Sequence, residues 1–263
     1  MALLNFWNKS HNLSKMTLRD LVVAYFQHYT IQAYLALAAL SAWAAIAWTT
    51  NPVMSGASVL AAILFYPLLW YVLHRWVLHG AWLYRSPLTA AMWKRIHYDH
   101  HQDPHHLEVL FGALYTTLPT IVLATVPIGY ALEGRGGAAA ALAAGLVWTC
   151  FYEFCHCVQH LPYKPKNKFL ADMKARHMAH HFQDEKGNFG ITNFFWDRLF
   201  GTFYEREERP VKSPTVFNLG YTDAEAARYP WVARLSGGVW LGTPRGRRQA
   251  KPDVANTDVA DAA

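Results

Sequence analysis

Charged residues are scarce in this sequence, and the uncharged positions fall in three long runs. Asp, Glu, Lys and Arg make up 16% of the 263 residues, against about a quarter in soluble proteins. None occurs at positions 21–74, 109–132 or 136–152. A helix needs about 20 apolar residues to cross the hydrocarbon core of a bilayer. The runs therefore indicate an integral membrane protein and argue against a large soluble helical core, whose helices would need a polar face.

The runs predict an all-α fold with about four transmembrane helices. We place these helices at residues 30–48, 58–78, 109–130 and 138–158. The turn residues of TTNPVMSG, 49–56, separate the first two. We expect one membrane-embedded domain over residues 1–242, with the amphipathic stretch 18–29 at the membrane surface. The tail 243–263 lacks apolar periodicity and is expected to be disordered.

Basic residues flank the predicted spans on one side. They precede the first span, occupy the loop 80–108 and follow residue 158, whereas the two opposite connections hold one basic residue, Arg135. The positive-inside rule then places both termini and the 80–108 loop in the cytoplasm. The net charge of +6 suits anionic lipid at that leaflet and requires no nucleic acid. The N-terminus does not match a signal peptide, and the composition fits a bacterial inner membrane.

Cysteine is also scarce, which excludes a disulfide framework. The three cysteines are Cys150, Cys155 and Cys157, all near the end of the fourth predicted span. Two of them flank His156, but thiolate ligands would be redundant beside so many imidazole groups. We therefore do not assign them to a metal site.

Histidine, in contrast, is abundant. Of fourteen histidines, twelve lie in the segments HRWVLH (74–79), HYDHHQDPHH (97–106), HCVQH (156–160) and HMAHH (177–181). On the predicted topology all four segments meet at one membrane depth on the cytoplasmic side. His11 and His28 stand alone, and we expect them to be surface or interfacial residues.

The spacing of the histidines favours shared metal ions. The pair in HCVQH and the two H-x-x-H-H trios each project from one helix face. His74 and His79 are about 140° apart on a regular helix, so they share a site only if the helix is distorted or the metals lie between them. Ten neutral imidazoles exceed the needs of one ion and suit two intermediate divalent metals. This predicts a redox-active di-iron centre that activates oxygen.

Acidic residues near the histidines are candidates to orient the rings. By proximity these are Asp99, Asp103, Glu153, Asp184 and Asp197. Glu153 is preferred because it lies one helical turn before His156 in an apolar span. Each carboxylate is alternatively a solvated or interfacial group.

The order of the histidine boxes resembles the fatty acid hydroxylase/sterol desaturase superfamily of membrane di-iron oxygenases. Its signature is H-x(3–4)-H, then H-x-x-H-H, then a pair near the end of a later span, then a final H-x-x-H-H. The segment HHFQDEKGNFGITNFFWDRLFGT (180–202) also resembles the last box and the closing segment of that family. The resemblance covers residues 74–203. The spacing of the first pair and the closing segment are most similar to the fatty acid 2-hydroxylase branch.

The resemblance implies a lipid monooxygenase that uses O2 and two Fe ions, with Zn as a substitute in a purified form. It implies hydroxylation of an unactivated C–H bond in a membrane lipid, at C2 of a fatty acyl chain. His105 and His106 have no counterpart and either shape the pocket or lie at the surface. The His-Pro-Gly-Gly motif of a fused cytochrome b5 domain is absent from this sequence, so we expect a separate cytochrome b5, ferredoxin or reductase as electron donor. The implied metal ligands are His74, His79, His97, His100, His101, His156, His160, His177, His180 and His181.

Three other functions fit parts of the pattern. A hydroxylase or desaturase of a sterol, hopanoid or carotenoid would carry the same boxes. A histidine-rich metal transporter would place its ligands near the bilayer midplane, whereas these cluster at one surface. A zinc-dependent lipid hydrolase needs three ligands and a general base, far fewer than ten histidines.

Overall fold

The structure, a computed structural model, describes residues 10–239, and this part of the chain is helical with no β-sheet. The predicted all-α class is therefore confirmed, while the predicted disordered tail lies outside the described residues. The five longer helices are α1 (Leu18–Gln27), α2 (Tyr29–Trp48), α3 (Pro52–Val72), α4 (Leu114–His160) and α5 (Lys168–Phe182). Short α-helices cover Ala81–Arg85, Ala90–Trp93, Asp99–Gln102, Leu107–Leu110, Phe195–Leu199, Asp223–Arg228 and Trp231–Ser236. Two π-helices cover Leu73–Leu78 and Lys94–Tyr98, and two 3-10 turns cover Leu13–Lys15 and Arg206–Glu208.

Polar side chains cap the first turns of several helices. At α1, the side chain of Thr17 accepts from the backbone N–H of Asp20, and the carboxylate of Asp20 accepts from the N–H of Thr17. Asn51 caps α3, whose first residue is a proline with no N–H to satisfy. Asn167 caps α5. These residues explain why the helices begin where they do.

Three helical stretches among residues 10–239 are long and apolar enough to cross a membrane. They are Tyr29–Trp48, Pro52–Arg85 and Leu107–His160. The first two contain the predicted spans 30–48 and 58–78, and the third contains both remaining spans. The prediction of about four separate helices therefore corresponds to three long helical stretches, the last of which bends back on itself.

Helix α4 is a hairpin that reverses at Glu133 and Gly134. Both residues have non-helical dihedral angles, and Gly134 has φ +59°, a value that glycine adopts at little cost. A Cβ on Gly129 would lie 2.2 Å from the carbonyl oxygen of Gly137, and one on Gly145 would lie 2.7 Å from Thr125. Such pairings require antiparallel arms in close contact. The predicted spans 109–130 and 138–158 are mostly these two arms.

The long helices bury small residues between them and expose large apolar ones. Helix α4 packs against both α2 and α3, with Ala45 meeting Ala139 and Ala140 in one cluster. On the outer surface, Ile46 is 82% exposed and Leu123 is 74% exposed. An apolar outer surface suits lipid rather than water. The chain is thus a multi-pass membrane protein.

At the end of the bundle opposite the histidines, one carboxylate forms hydrogen bonds with two neighbouring segments. Glu133 accepts hydrogen bonds from the backbone N–H and the hydroxyl of Thr50, both at 2.8 Å, and from the hydroxyl of Ser55 at 2.9 Å. The hairpin turn of α4 is therefore joined to the connection between α2 and α3.

Candidate metal centre

The structure brings all ten predicted histidines together in two groups of five. Within each group, one nitrogen from every ring lies within 4.8 Å of the corresponding nitrogens of the other four. The rings are buried or nearly so. The first group is His74, His79, His97, His101 and His180, and the second group is His100, His156, His160, His177 and His181.

Each H-x-x-H-H trio is divided between the two groups. His97 and His101 belong to the first group, while His100 belongs to the second. The trio of α5 is divided in the opposite sense, because His180 joins the first group while the two outer histidines join the second. The sequence predicted that each trio projects from one helix face. That expectation was wrong in detail, since helix positions i and i+4 share a face while i+3 leans away to the neighbouring group.

A π-helix supplies the distortion that the first pair requires. The backbone N–H of His79 donates to the carbonyl of His74 at 3.1 Å, which is the i to i+5 bond of a π turn. Residues five apart consequently lie on one face, and the two ring centroids are 5.0 Å apart. His156 and His160 reach the second group from the last regular turns of α4.

Distances between ring nitrogens match those around a bound ion. The Nε2 atoms of His79 and His97 are 2.9 Å apart, and in the second group the Nε2 atoms of His160 and His177 are also 2.9 Å apart. With metal–nitrogen bonds of about 2.1 Å, neighbouring ligands at right angles are about 3.0 Å apart and opposite ligands about 4.2 Å apart. Each group therefore has the dimensions of one ion's coordination sphere.

Main-chain carbonyl groups fix three rings of the first group. The Nδ1 atoms of His74, His101 and His180 lie 2.6, 3.0 and 2.7 Å from the carbonyl oxygens of Phe189, Val216 and Gly187. Since a carbonyl only accepts, Nδ1 carries the proton and Nε2 keeps its lone pair. These three Nε2 atoms are buried and have no hydrogen-bond partner. A buried lone pair without a donor is what a metal ligand presents, so the residues fit a divalent ion.

The loop that provides two of these carbonyls is held by Asp197. This buried carboxylate accepts from the backbone N–H groups of Phe189 and Gly190 and from the hydroxyl of Thr202. Burial raises the pKa of Asp197 above its usual value. Asn188, in the left-handed region at φ +54°, adds hydrogen bonds to the backbone of Tyr204. Sequence reasoning missed Asn188, and its only signal was the resemblance of the segment around it.

Burial also lowers the pKa of the clustered histidines that lie outside the spans. The pKa of His101 falls to about 3 because the imidazolium form loses its hydration. The same cause, with neighbouring histidines adding to it, lowers the pKa of His97, His100, His177, His180 and His181 well below the usual range. The rings are therefore neutral and able to bind metal at physiological pH.

The other predicted orienting carboxylates have different partners. Asp99 pairs with the ammonium of Lys94 at 2.7 Å, Asp184 pairs with Arg209, and Glu153 accepts from the backbone N–H of Gly112 at 3.2 Å. None of these contacts is with an imidazole ring. A role for Asp99 or Glu153 beside the metals stays a prediction.

Histidines outside the two groups make structural contacts. His11 and His106 both lie within 3.0 Å of the carboxylate of Glu108, and His105 contacts the carbonyl of His160. His28 caps α2 and stacks on Phe111. The three cysteines are free.

An apolar cavity of about 290 Å³ reaches both histidine groups. Its wall includes His74 and His97 from the first group and His100 and His156 from the second. Tyr115 also lines the cavity and is 65% exposed, so the cavity extends from the centre to the outer surface of α4. Apolar side chains such as Trp70, Leu73, Val77, Met92, Ile96 and Ile191 form much of the remaining wall.

Comparison with known families identifies the class of this centre. The family model described as fatty acid hydroxylase matches residues 59–202, more than half of the chain. The chain belongs to the fatty acid hydroxylase family. The matched region contains all ten histidines and the loop held by Asp197, and the resemblance that the histidine boxes predicted is confirmed.

Members of the fatty acid hydroxylase family with similar sequences come from fungi, animals and plants. The Saccharomyces cerevisiae ceramide very long chain fatty acid hydroxylase SCS7 is 30% identical over 128 residues, 46% of this chain and 31% of that protein. The Mus musculus fatty acid 2-hydroxylase is 37% identical over 68 residues, 26% of this chain and 18% of that protein. The Arabidopsis thaliana dihydroceramide fatty acyl 2-hydroxylase FAH1 is 30% identical over 108 residues, 41% and 44% of the two chains. These matches, each spanning less than half of the relative, confirm the similarity to the 2-hydroxylase branch.

A solved structure agrees with the sequence matches. Full-length scs7p, with only its hydroxylase domain visible, superposes with a TM-score of 0.54 and 26% sequence identity. The superposition covers 68% of this chain and 66% of that one. The fatty acid hydroxylase fold is therefore shared as well as the sequence signature.

Proposed function

We propose that this protein hydroxylates C2 of a fatty acyl chain in a membrane lipid. One observation carries the proposal: two groups of five buried imidazoles border an apolar cavity that opens toward the outer surface of the helix bundle. The named activities of the fungal, mouse and plant relatives support the same substrate class. The overall reaction is R–H + O2 + 2 e⁻ + 2 H⁺ → R–OH + H2O.

Two iron ions, when bound, would supply the activation of O2, and the ten histidines would hold them. The chain's own part is to keep these histidines neutral, to fix their rings through main-chain carbonyls and to exclude water. The apolar wall of the cavity would position the acyl chain with one C–H bond facing the centre. Zinc fits the same nitrogen ligands and is expected as a substitute in purified protein.

For the two electrons we propose a separate donor, a cytochrome b5, a ferredoxin or a reductase. The basic loops that flank the apolar helices support a topology with both termini and the histidine centre on the cytoplasmic side. On that topology the centre lies beside the leaflet from which both lipid and a soluble donor reach it. A bacterial inner membrane is the location that we propose.

The test is mass spectrometry of total lipids from cells that express the chain and an electron donor, grown with ¹⁸O2. We expect one ¹⁸O atom on C2 of an acyl chain, present with the wild type and with His28→Asn, which keeps a capping side chain at α2. His180→Ala should abolish the product. Loss of two hydrogens without added oxygen would instead indicate a desaturase, and an unchanged lipid profile would contradict the proposal.

A further inference from the structure

One buried carboxyl group in the cavity wall is not used in holding the metals. Glu153 is 3% exposed and lines the cavity together with His156, one helical turn further along α4. With a rise of about 1.5 Å per residue, the two positions are about 4.5 Å apart along the helix axis. A polar group therefore lies beside the reacting end of a cavity whose wall is otherwise largely apolar.

A hydrogen bond joins this carboxyl group to the segment that precedes α4. One of its oxygens accepts from the N–H of Gly112. A Cβ at Gly112 would lie 2.1 Å from the side chain of Thr117 and 3.4 Å from that carboxylate oxygen. Glycine at 112 thus allows Thr117 to pack against the backbone beside the carboxyl group. Among the hydroxyl groups that line the same cavity, those of Thr116 and Thr120 already donate to backbone carbonyls of their own helix.

The chemistry of C2 hydroxylation brings the polar head of the substrate to this place. If C2 faces the metals, the carbonyl carbon is one bond away, about 1.5 Å, and the atom attached to that carbonyl is about 2.5 Å away. In an acyl amide this atom carries a hydrogen, and a buried carboxyl oxygen is a strong acceptor for it. An ester or an ionised free fatty acid offers no hydrogen there.

We infer that Glu153 accepts a hydrogen bond from the N–H of an acyl amide and so sets which carbon of the acyl chain faces the metals. Glu153 is then a positioning residue, and it selects amide-linked acyl chains over esters and free acids. The inference rests on the proposed 2-hydroxylation. Ceramide and dihydroceramide, which appear in the names of two relatives, are acyl amides, so the inference adds the residue that recognises the amide and sets the position of oxidation.

The experiment uses the metal-loaded protein in lipid nanodiscs with an electron donor. Four substrates share one acyl chain: an N–H amide, its N-methyl counterpart, a methyl ester and the free acid. For the wild type we expect C2 product from the N–H amide, a KM about tenfold higher for the N-methyl amide and the ester, and a mixture of hydroxylated positions from both. Glu153→Met should have the same KM for the two amides. Glu153→Gln keeps a carbonyl acceptor and should therefore retain a lower KM for the N–H amide.

Glu108→Gln is the matched control, because Glu108 lies outside the cavity lining and pairs with histidines outside the two groups. It should leave the position of hydroxylation unchanged. Equal KM and unchanged C2 product for the two amides in the wild type would overturn the inference, whatever the stability of the Glu153 variants. The inference would also be overturned if Glu153→Met binds two metals and still prefers the N–H amide over the N-methyl amide as the wild type does. A wild type that hydroxylates none of the four substrates would contradict the proposed function itself.

Discussion

At the scale of single residues, the orientation of the first histidine group depends on main-chain carbonyl groups. Three rings of the first group are held by carbonyls of Gly187, Phe189 and Val216. The first two carbonyls belong to the loop that Asp197 binds through three hydrogen bonds. Asp197 therefore controls the orientation of two histidines that it does not touch.

Replacing Asp197 with Asn should weaken metal binding while leaving every ligand in place. An amide has one acceptor oxygen, so at least one of the three hydrogen bonds is lost and the loop relaxes. We expect metal affinity to fall about 10- to 100-fold, as for other residues that orient ligands, measured by competition with a chelator. Asp172→Asn, an exposed carboxylate on α5 that faces Arg176, should leave the affinity unchanged. Equal affinities in the two variants would show that the loop does not control the rings.

Removing one ligand from each group should distinguish two ions from one. After treatment with a chelator, His79→Ala should lose the ion of the first group and His160→Ala that of the second. Each variant weakens its own group, which keeps four histidines, and leaves the five nitrogens of the other group in place. Elemental analysis should find about two ions per chain in the wild type, about one in each variant and none in the double variant, in keeping with one ion per set of ligands. Equal metal content in all four proteins would contradict the assignment.

The histidines that form the two groups were predictable from sequence, and their orientation was not. Imidazole is the chemically active group, so a cluster such as HMAHH is recognisable in the sequence by residue type and spacing. The division of each trio between two groups depends on how the short helix Asp99–Gln102 faces α5, which is a tertiary property. The carbonyls of Gly187 and Val216 have no residue-type signal, because every residue carries one.

At the scale of elements, the α4 hairpin is built on glycines that lie against the opposite arm. A Cβ at Gly137 would be 2.3 Å from the carbonyl oxygen of Gly129, whereas one at Gly56 in α3 would meet nothing within 4 Å. The sequence indicated a break near Glu133 through its charges, yet it did not predict that the turn shrinks to two residues. That reduction depends on how closely the two arms approach.

The two glycines provide a matched pair of single-methyl substitutions. Gly137→Ala should force the arms apart and destabilise the protein by about 1–3 kcal/mol, as overpacking does elsewhere. Gly56→Ala should be neutral or stabilising by up to about 1 kcal/mol, because alanine favours a helix. Thermal unfolding in detergent, followed by circular dichroism, should give a lower Tm for Gly137→Ala only. A lower Tm in both would point to a general intolerance of the bundle.

The sequence did not predict the π turn at Leu73–Leu78 directly, but it predicted that a shared site for His74 and His79 requires a distorted helix or metals between the rings. The five-residue spacing of His74 and His79 demanded a distorted helix or metals between the rings, and the i to i+5 bond meets the first alternative. Propensity alone does not distinguish a π turn from an α turn, because the residues between the histidines are ordinary helix formers. The i to i+5 bond brings both rings into the first histidine group.

At the scale of the whole molecule, the buried imidazole cluster should make the stability of the metal-free protein depend on pH. The folded-state pKa values of His97, His100, His101, His177, His180 and His181 are lowered by burial, against about 6.5 in the unfolded chain. Below about pH 6.5 the unfolded chain therefore binds more protons than the folded protein. The free energy of unfolding consequently decreases as the pH is lowered.

We expect the Tm of chelator-treated protein to be flat above about pH 6.5 and to fall between about pH 6.5 and 5.5, at a cost of up to about 1.4 kcal/mol per histidine and pH unit. The metal-free double variant His177→Asn, His181→Asn should show a shallower fall. Adding back metal near neutral pH should raise the Tm, because ions bind only the folded centre. A Tm independent of pH would mean that the imidazoles take up protons equally in the folded and unfolded states.

The far end of the bundle has a consequence for how a long acyl chain is admitted. Hydrogen bonds from Thr50 and Ser55 to Glu133 join the α4 turn to the connection before α3. Bound metals would join the opposite ends of α3 and α4 through their histidines. Helices joined at both ends cannot separate from each other as rigid bodies. Access to the cavity then rests on rotation of side chains at its outer edge, such as Tyr115, which takes place within nanoseconds rather than by slow collective motion. Lipid exchange would therefore proceed without disturbing the geometry of the metals.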